Sequence, residues 1–128
     1  MRPVCYLTAL FVCAPVVAHA ALPLQEACRR LHAGLSEEVR LLSEVRDADS
    51  AQKTVEPLSR VVRELAALRD EVDEDELWRF INDDPNTMQQ LLRLIEALAL
   101  HLQILEMSNC FGNTQLMELL QPFLSPAS

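Results

Sequence analysis

The chain has 128 residues, half of them apolar, a formal net charge of −8, one tryptophan, one tyrosine and four phenylalanines. Such an acidic surface repels phosphate backbones and anionic lipid heads, which removes nucleic acid and membrane surfaces from the partners to consider. The glycines are only Gly34 and Gly112, too few for a phosphate-cradling loop, and the scarce aromatics starve a sheet sandwich.

Met1-Arg2 is followed by an apolar run from Val4 to Val17 and by Ala18-His19-Ala20. A positive start, a short apolar core and small residues at −3 and −1 predict a secretory signal peptide over 1–20, cleaved after Ala20. The run is too short to cross a bilayer comfortably. Cys13 follows the bulky Val12, and Cys28 follows Glu26 and Ala27, so neither sits in a small-residue box for lipid attachment. Removal of 1–20 takes away Arg2 and no acid, which leaves a mature chain of net charge −9. The expected product is a single domain over 21–124 with a disordered tail at 125–128, located in the periplasm or secreted, with no membrane contact after signal removal.

Leu24, Cys28, Leu31, Leu35, Val39, Leu42 and Val45 recur at three- and four-residue spacings, which predicts a helix from Pro23 to Arg46. Gly34 inside it weakens the helix by ~1 kcal/mol relative to Ala; it is either a close-approach point for another helix or a neutral surface glycine. Asp47 or Asp49 caps a second helix with the seam Ala51, Val55, Leu58, Val62, Leu65, Leu68 and Val72. Pro57 inside it removes one backbone bond and predicts a kink; the rival reading starts the helix near Pro57. The acidic run Asp70 to Glu76 ends this helix and starts a short third one through Asp73 or Asp75. That helix carries Leu77, Trp78, Phe80 and Ile81. Trp78 and Phe80 are expected to plug one end of a bundle, with an exposed docking patch as the alternative.

Asp84-Pro85 is a cap followed by proline at the first helical position, and it opens a helix over Asn86 to Ser108. Between Leu91 and Met107 apolar residues outnumber polar ones more than two to one. A helix apolar over most of its circumference is expected to be enclosed, so this one is read as the centre of the bundle. Cys110 to Asn113 forms a turn, with Gly112 supplying positive φ. Asn113 caps a last short helix with Leu116, Met117, Leu119 and Leu120, expected to end before Pro122. The fold class that results is all-α: an antiparallel up-down-up bundle of three long helices, each roughly 35 Å long, plus two short ones.

The mature cysteines, Cys28 and Cys110, meet an oxidising compartment. In an up-down-up bundle they lie at opposite ends, on the order of 30 Å apart, whereas a bridge needs α-carbons within about 7 Å. Two free thiols, an intermolecular bridge and an intramolecular one are the readings left open. Cys28 and His32 have the spacing of two metal ligands on one helix face, but they make half a site. Neither His32 nor His101 has a glutamate three residues before it, as a di-metal carboxylate bundle requires. The Asp70–Glu76 run lacks the glycine of a calcium loop. No Gly-x-Ser-x-Gly turn occurs, and the carboxylate pairs Glu37-Glu38 and Asp83-Asp84 sit on expected polar faces or caps, where burial raises no pKa. No catalytic, metal or cofactor-binding residue is therefore assigned, no cofactor is expected, and the protein is read as non-enzymatic.

The acidic bundle with Glu44 to Gln52 between its first two helices resembles the periplasmic four-helix cytochromes. That resemblance implies haem held by a methionine on the first helix and a histidine near the end of the last. The first mature helix has no methionine, and no histidine follows His101, so the haem ligands are missing. The chain also resembles small uncharacterised exported bacterial helical-bundle proteins. The likeness lies in Asp47, Ser50 and Ala51 with the nearby Pro57, and in Phe111, Gly112, Asn113 and Leu116 after the last long helix. It implies a bundle and an exported location, and no activity.

The function expected is protein–protein interaction or self-association, with Leu100, Ile104, Trp78 and Phe80 as the candidate surface. A small-ligand or cofactor carrier using the bundle interior is the alternative. The partner is then an unknown protein or a second copy of the chain; full burial of Leu91–Met107 inside the monomer would remove the surface. A secreted signalling bundle similar to helical cytokines fits less well, because those favour long crossover loops and internal disulfides.

Overall fold

A computed structural model of the protein describes residues 22–124. The expected signal peptide over 1–20 and the tail over 125–128 lie outside the described residues. Five α-helices, α1 (Leu24–Ser43), α2 (Ala48–Glu71), α3 (Glu74–Asn82), α4 (Pro85–Met107) and α5 (Thr114–Leu124), account for most of the described chain, with a short 3-10 segment at Asn109–Gly112. There is no strand among the described residues, and the fold is all-α.

The ends of these helices are written in local chemistry. Pro23 precedes α1 and its carbonyl accepts the Ala27 N–H at 2.9 Å; a proline loses nothing there because the first helical donors lack partners anyway. The α1 helix stops at Ser43, earlier than the apolar seam suggests, and Val45 enters the core from the connecting turn. Asp47 caps α2 by accepting the Ser50 N–H at 2.8 Å, while the Ser50 hydroxyl accepts the Asp47 N–H at 3.0 Å. This reciprocal box satisfies two donors that a helix start otherwise strands. Pro57 sits within one continuous helix, so the start near Pro57 is not adopted. The carbonyl it leaves without a donor belongs to the exposed Lys53, where water can take over. Asp73 caps α3 through the Glu76 N–H. Asp84 caps α4 through the Asn86 N–H and the Thr87 hydroxyl, with Pro85 at the first position.

Between α4 and α5 the backbone turns left-handed over four residues. Asn109, Cys110 and Phe111 have φ of 58°, 52° and 53°, and Gly112 has 81°. Gly112 takes the positive φ expected of it, and the three residues before it share that conformation. For Cys110 and Phe111 this conformation costs about 1–2 kcal/mol each. Burial of the Cys110 side chain and packing of Phe111 on the same apolar cluster offset it. Asn113 then caps α5, accepting the Leu116 N–H at 2.8 Å. It also donates to the Gln52 side chain at 2.9 Å, which ties the start of α5 to the second turn of α2.

The α5 helix does not end before Pro122 but runs through it to Leu124. A proline in the last turn removes only the bond to the Glu118 carbonyl, and Glu118 is exposed. The anchoring comes from Leu116 and Leu120, both fully buried, with Leu124 packed on the same cluster.

Two apolar clusters make the core. One joins Leu41, Leu42 and Val45 to Ala51, Leu58 and Val61 of α2, to Leu105 of α4, and to Cys110, Leu116 and Leu120. The other joins Ala27 and Cys28 to Leu68, to Leu77 and Ile81 of α3, and to Leu91 of α4. The most connected helix is α1, which packs against α2, α3 and α4. The expectation that α4 is the enclosed central rod is therefore corrected. Only Leu91 and Leu105 of α4 are fully buried, because α1, α3 and α5 meet one side of it and no element among the described residues covers the other.

Candidate interaction face

The α4 helix owes its position to a stripe of leucines at helical spacing. Leu91, Leu94, Leu98, Leu102 and Leu105 face the two clusters, the first and last fully buried and the others partly. Away from this stripe, side chains of the same chemistry stand in water. Leu92 is 48% exposed, Ile95 39%, Leu100 55%, Ile104 47% and Met107 79%. Scattered single apolar residues on a surface need no explanation, but a contiguous set along one helix marks a contact surface. Charge is sparse on α4, where Arg93, Glu96 and Glu106 are the only Asp, Glu, Lys or Arg residues.

Of the four residues expected to form a surface, Leu100 and Ile104 lie one turn apart on this face. Trp78 and Phe80 stand on α3 rather than on α4. Trp78 is half-buried against the cluster that contains Leu77 and Ile81, so it packs at that end of the bundle. Phe80 is 37% exposed. Two residues apart on a short helix, their side chains point in nearly opposite directions. The face also takes in Leu92 and Met107, neither of which is among the residues expected from the sequence, whereas Ile95, nine residues from Ile104 and so about half a turn round the helix, stands on the opposite flank. The signal was present, since one helix cannot turn both flanks towards α1.

A second residue escaped the sequence reading. Glu38 on α1 is 1% exposed, and its Oε2 has no hydrogen-bond partner among the described residues. Burial holds its carboxyl above the usual carboxylate range. The expectation that neither member of the Glu37-Glu38 pair is buried is corrected for Glu38. Glu37 does lie at the surface, where Arg40 holds its carboxyl below the usual range. A strict three-four alternation from Cys28 through Leu31 and Leu35 reaches Glu38 and then Leu42. The chemically attractive Val39 is half-exposed instead.

Cys28 and Cys110, the two cysteines among the described residues, are free thiols and buried, in different apolar clusters. Burial pushes each thiol up, with the Asp84 carboxylate adding to the effect at Cys28; the reactive thiolate is thereby disfavoured. Among the described residues no three His, Cys, Asp or Glu side chains gather where they could hold a metal ion. No helix among them is long and apolar enough to cross a membrane.

A shallow groove of roughly 490 Å³ runs along the seam of α1 and α2, with Gly34, Leu65 and Leu68 among its lining residues. At Gly34 the Leu65 side chain of α2 packs directly on α1: a Cβ added there would stand 2.5 Å from Leu65 Cδ2. Of the two readings of this glycine, close approach is the one adopted. Arg30 bridges the groove to Glu71 at 3.7 Å.

No family model, no curated protein and no solved structure matches this chain.

Proposed function

We propose that the protein is an exported, non-enzymatic helical bundle that acts by protein–protein contact or self-association through the outer face of α4. The observation that carries this reading is the set of five large apolar side chains exposed along one helix. Water contact of that extent is unfavourable by roughly 25 cal/mol per Å² of apolar surface, and a covering protein removes it. Export rests on the three-part pattern of Met1 to Ala20 and on the resemblance to exported bacterial bundles.

The bundle order in this reading is antiparallel up-down-up for α1, α2 and α4. Supporting it, the Leu22 N–H before α1 donates to the Glu71 carbonyl at the tail of α2. Cys28 shares a cluster with Leu68 and Leu91, and Leu42 shares the other with Leu58 and Leu105. The heads of α1 and α4 thus group with the tail of α2.

The test is a Leu100→Glu/Ile104→Glu variant of the mature chain. Both positions are exposed, so the helical circular dichroism is expected to persist while binding to partner or second copy is lost. Unchanged binding would contradict the reading. The alternative, a small-ligand carrier, draws on the α1/α2 groove rather than on the interior. A small molecule retained in native mass spectra and displaced by filling the groove with Ala33→Phe, at an exposed lining position, would favour it.

A further inference from the structure

Resting on the reading of the α4 face as a contact surface, we infer that its occupant is a second copy of this chain, docked antiparallel with the two-fold axis between Ala99 and Leu100. An isologous contact requires a surface that matches itself after a half-turn. The middle of the exposed face of α4 has that property. Reading outward from Ala99 and Leu100 in both directions, one meets a small or apolar residue, then a polar one (Glu96 or Gln103), then a large apolar one (Leu92 or Met107). All six are exposed in the single chain.

A half-turn about that axis sets Leu92 against the partner's Met107, Glu96 against the partner's Gln103, and Ala99 against the partner's Leu100. Each layer then recurs on the far side of the axis. Glu96 decides the direction. In a parallel pair the two Glu96 carboxylates would face one another and repel, with no cation in the same layer. In the antiparallel pair each carboxylate meets a Gln103 amide, whose N–H groups donate to it. Polar layers of this kind fix register in helix pairs. Ala99, at the centre, lets the two backbones approach.

The extent is also suitable. Leu92, Leu100 and Met107, with Ile104 at the edge, each leave between about half and four-fifths of their surface in water and offer on the order of 400 Å² of apolar area per copy, within the range of the largest patch a monomer exposes. With Glu96, Ala99 and Gln103 included, the face approaches the ~800 Å² per partner of a standard interface. The sparse charge of α4 lets two copies of an acidic protein meet there without like-charge contact across most of the face.

The experiment uses the mature chain, with mass by light scattering over a concentration series. Wild type is expected to dimerise, and Leu100→Glu, at a position exposed in the monomer, is expected to weaken the dimer roughly a hundredfold or more with its helix content intact. Two cysteine variants read the register under mild oxidation. Ala99→Cys should form an intermolecular disulfide. Met107→Cys should not, because the two copies of that residue stand more than ~20 Å apart. Ready bridging of Met107→Cys would overturn the antiparallel pairing. A monomeric wild type that binds a different protein, with binding lost in Leu100→Glu, would overturn the second copy and leave the α4 face as a contact surface. A dimer indifferent to Leu100→Glu would overturn both.

Discussion

Replacing Glu38 by methionine should make the protein more stable, although it removes a charged residue from a helix. The two side chains are similar in length, and the position is 1% exposed, so methionine fills the same space. What disappears is a carboxyl whose Oε2 has no hydrogen-bond partner among the described residues. Leaving a buried polar atom unsatisfied costs ~1–3 kcal/mol, and the substitution recovers that amount. In a domain of about a hundred residues each kcal/mol moves Tm by about 4–8 °C, so Glu38→Met should melt at least ~4 °C higher at pH 7. The difference must also depend on pH. Burial raises the Glu38 carboxyl, so as pH climbs above the ordinary glutamate range the unfolded chain ionises first. The folded protein then loses stability until Glu38 itself ionises, and the loss ends there. The advantage of Glu38→Met is therefore smallest near pH 4 and grows towards pH 7. Urea unfolding of both proteins at the two pH values measures it. A variant less stable than wild type at pH 7, or a difference that ignores pH, would show that Glu38 has a partner and would refute the reasoning.

Gly34→Ala gains about 1 kcal/mol in helix propensity but drives a methyl to 2.5 Å from Leu65 Cδ2 and 3.0 Å from Cγ. Overpacking of ~1–3 kcal/mol should win, for a net loss near 1 kcal/mol, and adding Leu65→Ala should rescue the double variant in urea melts. Asn113→Ala deletes the cap of α5 and the link to Gln52, so a loss of ~1–2 kcal/mol is expected, with earlier proteolysis at the C-terminal end as a second readout. Acid should act oppositely on the helix caps and on Glu38. The Asp47 and Asp84 carboxyls are held below their ordinary range, Asp47 by the Ser50 N–H and Asp84 by the Thr87 hydroxyl, so their contribution is present above that range and is lost as pH falls through it. Helicity of the Asp47→Asn variant should therefore change less between pH 5 and 2 than that of wild type. Self-association of a chain with net charge −9 after signal removal should tighten with added salt, which screens repulsion between the copies; weakening would point to an ionic interface.

Helix starts were legible in the sequence because their chemistry is local. An aspartate before Ala48, before Glu74 and before Pro85, and Asn113 before Thr114, are each short-range signals, and each cap forms as its own hydrogen bonds dictate. Residues that depend on what lies across the bundle were harder to read. Glu38 looks like half of a surface pair until the strict register of α1 carries it inward. The outer leucines of α4 look like core until it is known that α1, α3 and α5 meet only one side of the helix. Pro122 reads as a stop, yet Leu116 and Leu120 hold α5 firmly enough to continue past it. The left-handed turn at Asn109–Gly112 carried one glycine as a clue; the other three residues are held there by packing.

Oxidation of Met107 tests the central claim most directly. Its side chain is 79% exposed in the single chain, whereas Met88 and Met117 are half-buried. If the α4 face is covered in solution, dilute peroxide followed by peptide mass analysis of the mature wild-type protein should show Met107 oxidised no faster than those two. The Leu100→Glu variant should then oxidise it several-fold faster. Rapid oxidation of Met107 in the wild type at every protein concentration and in extracts of the producing cells would mean that the face stands bare, contradicting the account.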